Sequence, residues 1–404
     1  MNKMAAASLP CSGELSMDQF KDIRPYHDDE VRPVLDALLA NKAFIRSLAG
    51  FNFPRLNRFL PVLVRFLVRK KLNQQLGSIT TIAQVQDIIA LYMDKMIEKT
   101  APRLTHSGLD KLDRNKSYLF ISNHRDIAMD PAFVNYMLYH DDFDTVYIAI
   151  GDNLLKKPFV NDLMRLNKSF IVKRSLKGRE LLQSSRHLST YIHHCISTGN
   201  NVWIAQREGR AKDGCDRTDC ALLKMLAMAR KKEHGFRQAL SDLHIVPVAI
   251  SYEFDPCDRL KADELYQKAE LGNYQKDEQS DLHSIVTGMI GYKGHVHVSF
   301  GKELQLENDD DEAAAKLIDE QIINNYLLHV SNYHALSLLQ KEYPERVPVL
   351  PDLPVNVYDK NHPGVVELEK RLRETEPAIR PYLLLMYANP VISRYARIND
   401  CAKC

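Results

Sequence analysis

Neither sign of charge prevails in this chain of 404 residues: 54 Lys and Arg stand against 52 Asp and Glu, a formal net charge of +2. A nucleic-acid binder needs a basic surplus and a disordered chain needs few apolar residues. With balanced charge and 45% hydrophobic residues, neither class fits. Long apolar runs are missing too, because no window approaches the ~18 to 20 residues of a membrane-spanning helix. The opening "MNKMAAASLPCSGELS" lacks the apolar core of a secretory signal. Cysteine is sparse and irregular: the seven, at 11, 195, 215, 220, 257, 401 and 404, are an odd number without a disulfide framework. Free thiols in a reducing, cytosolic setting are expected, including the Cys401 and Cys404 C-x-x-C, which has no second pair to complete a zinc site. No internal repeat or low-complexity tract appears, and the length suffices for one large domain with appendages or for two domains.

Local asymmetry is present where global bias is absent. Residues 51–76, "FNFPRLNRFLPVLVRFLVRKKLNQQL", hold Arg55, Arg58, Arg65, Arg69, Lys70 and Lys71 and no acid, interleaved with Phe, Leu and Val. Such a basic amphipathic stretch either packs on a core as a surface helix or lies in the plane of an anionic bilayer. Residues 79–98 read as a second amphipathic helix, so 1–105 is expected to be an N-terminal helical, membrane-docking region.

Short β-rich runs follow at 117–122, 145–150, 169–173, 201–206, 244–251 and 295–300, with helical candidates at 130–139, 176–197 and 219–232 between them. Alternation of this kind predicts an α/β domain over 106–305, a largely parallel central sheet flanked by helices. Its chemistry is expected beyond the carboxyl ends of the strands. In the last part, 306–404, acids ahead of a helical run at 307–321 read as capping. Pro344, Pro348, Pro351 and Pro354 mark a connector, and helical pieces around 364–376 and 379–388 complete a C-terminal extension.

Two polar segments leave strands in the same sense. The first, "ISNHRDIAMDPAF" (121–133), puts His124, Asp126 and Asp130 at a strand-to-helix turn that Asn123 and Arg125 are placed to hold. A histidine beside a carboxylate is what general-base activation of a hydroxyl requires. Either aspartate would also serve as a helix cap, and a metal reading lacks a third ligand nearby. The second, "QREGRAKDG" (206–214), gathers Arg207, Arg210 and Lys212 around a Glu-Gly turn suited to a phosphate. "KSFIVKR" (168–174) turns abruptly basic, and Pro247 interrupts the strand pattern of "VPVAIS", a place usually confined to edges or bulges.

In this order the four stretches resemble the four blocks of the glycerolipid acyltransferases, the superfamily of glycerol-3-phosphate and 1-acylglycerol-3-phosphate acyltransferases, over roughly residues 117–255. The resemblance implies transfer of a fatty acyl group from a thioester, acyl-coenzyme A or acyl carrier protein, to a hydroxyl of a glycerol-phosphate lipid, 1-acyl-sn-glycerol-3-phosphate first among acceptors. A lysophospholipid or amino lipid acceptor, or a non-catalytic lipid-binding protein of the same fold, are the alternatives. His124 would be the general base, an aspartate its orienting partner, and Glu208, Gly209, Arg210 and Lys212, assisted by Arg174, would receive the acceptor phosphate. No metal and no cofactor beyond the acyl donor is implied, nor any nucleic-acid partner. An anionic membrane surface is implied, with the protein cytoplasmic and peripherally associated. The family pattern separates His and Asp by four residues, whereas five lie between His124 and Asp130. One added residue turns a helical side chain by about 100°, which makes Asp126 and Asp130 competing partners; Asp130 is favoured, because Pro131 and the apolar run after it continue the family block.

Overall fold

The computed structural model describes residues 17–272, 274–275, 277, 280–350 and 359–396. Cys401, Cys404, Pro351 and Pro354 lie outside the described residues, while Cys195, Cys220 and Cys257 carry free thiols. A 3-10 turn at Met17–Phe20 begins the described residues, and helices α1 (Asp28–Ala40), α2 (Lys42–Asn52), α3 (Pro54–Phe59), α4 (Pro61–Leu76) and α5 (Ile82–Thr100) follow it. The basic stretch is therefore not one helix: Pro54 and Pro61 each take the first helical position, where a missing N–H costs nothing, and restart it. On α4, Val64 and Val68 pack inward, while Phe59, Leu60, Val62, Leu63, Phe66 and Leu67, each at least half exposed, stand outward on α3, α4 and the joint between them.

The central sheet comprises β1 (Arg103–Ser107), β2 (Leu119–Ser122), β3 (Tyr147–Gly151), β4 (Ser169–Val172), β5 (Val202–Ala205), β6 (Ile245–Tyr252) and β7 (His295–Phe300). Their order is β1-β7-β6-β2-β5-β3-β4, parallel throughout except where β7 runs against β6. Interleaved are α6 (Met129–His140), α7 (Pro158–Leu166), α8 (Gly178–Ser197), α9 (Cys220–Ala227), α10 (Lys231–Ser241), α11 (Asp258–Glu270) and α12 (Ser280–Ile290). The last elements are α13 (Asp311–Asn325), α14 (Val330–Glu342), α15 (Pro363–Arg373) and α16 (Arg380–Tyr395).

Strand alternation explains the layers. Leu119 and Ile121 of β2 face a core shared with α8, α9, α10 and α13, while Phe120 faces the opposite core with α5 and α6. The first strand escaped sequence reading because "RLTHS", an edge strand with one apolar side chain, shows no alternation. It begins at Arg103, so a boundary at 105/106 falls inside a strand. Likewise Ala314, Ala315 and Ile318 of α13 join the core of Leu119, so packing does not divide at 305/306. The helical stretch expected at 219–232 is two helices, α9 and α10.

Pro247 sits neither at an edge nor in a bulge but inside β6, opposite Ile121. Its carbonyl accepts from Gly301 N at 2.8 Å just past the end of β7 at Phe300, so the missing N–H falls at the end of the β6–β7 ladder and interrupts no pairing within it.

Phe120 is fully buried and meets Phe300 edge-on at 5.5 Å between ring centroids. Phe120→Ala is expected to cost about 3 to 5 kcal/mol in urea unfolding; a cost below about 1 kcal/mol would mean that this face is not a packed core.

Candidate active site

Because β2, β5 and β6 run parallel, their carboxyl ends open on one edge of the sheet, and the two polar segments meet there. After β2 the buried Asn123 continues strand pairing with its side chain: Oδ1 accepts from Ile250 N at 2.8 Å, and Nδ2 donates to Ile250 O at 3.0 Å and Asp216 Oδ2 at 3.3 Å. Arg125 turns into the protein, donating to Asp216 Oδ2 at 2.6 Å and Gly214 O at 3.1 Å, with its guanidinium 5.6 Å from the Tyr326 ring centre. Both residues hold the turn, and between them His124 is directed outward.

His124 Nδ1 lies 2.9 Å from Asp130 Oδ2. The same oxygen accepts Arg125 N at 2.6 Å and Asp126 N at 2.9 Å, and Oδ1 accepts the Tyr252 hydroxyl at 2.7 Å. The other three partners are all donors, which suits a carboxylate, so the network assigns the imidazole proton to Nδ1 and the lone pair to Nε2. The ring is held edge-on to Trp203, centroids 6.0 Å apart, and its side chain keeps 14% exposure. Burial, with the adjacent Asp130 charge, keeps the Tyr252 hydroxyl well above its ordinary pKa and hence protonated.

The extra residue between His124 and Asp130 is absorbed by the irregular turn before α6, which starts only at Met129. Asp126 is the cap: its Oδ1 accepts the N–H groups of Ala128 and Met129, both at 2.9 Å. Its Oδ2 is buried without a hydrogen-bond partner, and burial together with Asp130 raises its pKa to about 6. Gly288 of α12 covers it so closely that a Cβ there would lie 2.0 Å from Oδ2.

The 206–214 loop is tied to this turn through Gln206 N to Ser122 O and Ala211 N to His124 O, both at 2.8 Å. Gly209 makes the bend at a φ of +74° that side-chain-bearing residues rarely adopt. Glu208 is 72% exposed and lies 3.7 Å from Arg174 Nη1. Arg210 donates through Nη2 to Ser284 Oγ at 3.3 Å, while its Nη1 is buried without a partner. Lys212 is turned onto Glu264 of α11; burial lowers its pKa and Glu264 opposes the shift. The loops thus bring His124, Asp130, Glu208, Gly209, Arg210 and Arg174 to one edge and commit the Lys212 ammonium to a protein carboxylate.

Sequence reasoning missed Tyr252, Asp216, Lys261 and Glu264. For Tyr252 a signal existed, since even-numbered positions from Val246 share one face of β6. Nothing in "CDRTDC" or "DRLKADELY" marks the others. Among the described residues no three His, Cys, Asp or Glu side chains are grouped to hold a metal ion.

Residues 103–251 match the family model described as Acyltransferase, and this segment contains both polar loops. Over that segment the chain is similar to the Acyltransferase family. It is 24% identical over 230 residues to a glycerol-3-phosphate acyltransferase of Pseudomonas fluorescens (strain Pf0-1), covering 56% of this chain and 26% of that protein. Over 211 residues it is 25% identical to the dihydroxyacetone phosphate acyltransferase of Bos taurus, 51% of this chain and 29% of the relative. The chain thus spans between a quarter and a third of the length of these relatives. A solved 1-acyl-sn-glycerophosphate acyltransferase from Thermotoga maritima aligns with 73% of this chain and 97% of its own at 12% identity and a TM-score of 0.35, too slight a likeness to carry geometry across.

Asp126 allows a test that separates cap from partner. A carboxyl whose folded pKa is raised contributes stability below its unfolded pKa and loses it as pH rises through about 6. Asp126→Asn keeps the Oδ1 acceptor, so it is expected to match the unsubstituted protein below about pH 4 and to exceed it by up to about 3 kcal/mol at pH 7 in denaturant titrations. Equal stability at both pH values would contradict the buried, unpartnered Oδ2.

Proposed function

We propose that the chain transfers a fatty acyl group from acyl-coenzyme A or acyl carrier protein to a hydroxyl of a glycerol-phosphate lipid, with 1-acyl-sn-glycerol-3-phosphate as acceptor. The supporting observation is the His124–Asp130 pair, whose carboxylate is held by three further donors beside a loop bearing a buried guanidinium nitrogen with no partner. In this reading His124 Nε2 takes the proton of the acceptor hydroxyl as its oxygen attacks the thioester carbonyl. The tetrahedral intermediate collapses with cleavage of the carbon–sulfur bond, and the imidazolium returns the proton to the departing thiolate, which leaves as the thiol. Asp130 fixes the tautomer and stabilises the imidazolium. Asp126 caps α6 and stands outside the proton path.

Arg210 is the main ligand of the acceptor phosphate and Arg174 the second, with Glu208 orienting Arg174 across the turn at Gly209. Lys212 contributes through Glu264, which anchors the loop to α11. The peripheral membrane contact is the exposed apolar row of α3 and α4, flanked by Arg55, Arg58, Arg69, Lys70 and Lys71. A patch of this size beside cations fits the acyl boundary of an anionic leaflet, where a lipid acceptor resides. No helix among the described residues is long and apolar enough to cross a membrane.

Labelled acyl-coenzyme A and acyl carrier protein offered with glycerol-phosphate, lysophosphatidate, lysophospholipid and amino lipid acceptors test the reaction. His124→Ala and Asp130→Asn are expected to lose about 10² to 10⁴-fold of transfer, and full activity in His124→Ala would refute the general-base role. Vesicle co-sedimentation is expected to need anionic lipid and to weaken from about 0.1 to 1 M salt as the Debye length shrinks. Replacing Phe59, Val62 and Phe66 by Ser should abolish it, and binding that ignored both changes would place the membrane contact elsewhere.

A further inference from the structure

Lys261, on α11, is only 2% exposed, an environment a lysine enters only when its charge is matched. Its Nζ donates to the Arg125 carbonyl at 2.6 Å and to the Asp255 carboxylate. The Arg125 carbonyl and the Asp126 N–H belong to one peptide unit, and that N–H donates to Asp130 Oδ2 at 2.9 Å. An ammonium on the carbonyl polarises the amide and strengthens its N–H as a donor. A continuous chain of contacts therefore runs from Lys261 through one peptide to Asp130 and on to His124.

The far end of that chain is anchored by the C-terminal helices. Arg371 of α15 donates to Asp255 O at 3.0 Å and to Asp258 Oδ2 at 2.7 Å. The Tyr387 hydroxyl of α16 donates to Asp258 Oδ2 at 2.7 Å and accepts Asp255 N at 3.1 Å. Asp255 is fixed further by Cys257 N, 2.8 Å from its Oδ1. Buried ion pairs such as Lys261–Asp255 and Arg371–Asp258 are poor sources of stability, since desolvation offsets much of their attraction. What they supply here is a fixed position for one ammonium group.

We propose that Lys261 is a positioning residue for the His124–Asp130 pair and that α15 and α16 serve to hold it there, so that the C-terminal part of the chain completes the active site from outside the 103–251 segment. This rests on the function proposed above, in that His124 is taken as the working base. Lys261 touches neither His124 nor substrate and acts only through the peptide between Arg125 and Asp126.

The test uses the full chain. Lys261→Met/Asp255→Asn removes the pair without stranding a buried charge, and Tyr387→Phe removes one hydroxyl at the anchor; thermal melts establish that each is folded. The ring nitrogens of His124, assigned by their loss in His124→Gln, are followed by ¹⁵N NMR. One protonated Nδ1 and one bare Nε2 are expected in the unsubstituted protein, and in the double variant the two signals should converge as the tautomers exchange. In the acyl-transfer assay kcat should fall about 10 to 100-fold in the double variant with KM unchanged, as for a base displaced by a fraction of an ångström. Tyr387→Phe should move both readouts the same way by less. A folded double variant with unaltered ¹⁵N signals and unaltered kcat overturns the proposal, as does a loss confined to KM. Absence of acyl transfer in the unsubstituted protein would sink the proposed function alone, because the ¹⁵N signals report on the pair without turnover.

Discussion

The carboxylate of Asp130 organises the site. One of its oxygens takes the His124 ring and two consecutive backbone N–H groups, and the other takes the Tyr252 hydroxyl. A fully buried carboxylate without such donors would be strongly disfavoured, so the turn after β2 can close only in the shape that presents those N–H groups. That requirement sets the direction of the His124 side chain, the start of α6 and the depth of β6, whose last residue must reach the same oxygen pair.

Other devices tighten the same arrangement. Asn123 borrows the hydrogen-bonding pattern of a strand to bind the turn to Ile250, and Arg125 ties it to Asp216 and Gly214 beyond the bend at Gly209. Ala211 then donates back to the His124 carbonyl. A loop that would otherwise be solvated is thereby fixed beside His124. Its cations differ in consequence: Lys212 is neutralised in place, whereas Arg210 keeps a buried nitrogen without a partner.

The chain's surface carries a second, opposite logic. On α4 Val64 and Val68 are buried and Leu72 and Leu76 pack partly against the same cluster, while Phe and Leu side chains beside them remain in water. Left uncovered, such a row is unfavourable in water and favourable at an acyl boundary, and the Arg and Lys around it suit anionic headgroups. The two prolines that split this stretch keep its helices short.

Much of this was legible before any coordinates. Alternating apolar runs marked six of the seven strands; the edge strand "RLTHS" gave no pattern because half of a two-sided strand's signal is its burial, and at an edge there is little. The pairing of His124 with a carboxylate, and the approach of "QREGRAKDG" to it, followed from residue types at strand ends. Which carboxylate, however, was decided by three-dimensional closure: Asp126 and Asp130 are chemically alike, and only the irregular path of residues 123–128 turns Asp130 toward the ring and Asp126 toward the helix N-terminus. Lys261, Arg371 and Tyr387 were invisible for a related reason, since their partners lie 136, 113 and 129 residues away along the chain. Local pattern by itself determined the elements and the chemistry available at their ends, because periodicity and side-chain type act over a few residues. The tertiary structure alone decided which charges meet, because burial makes a pairing obligatory only once distant segments have brought both partners out of water.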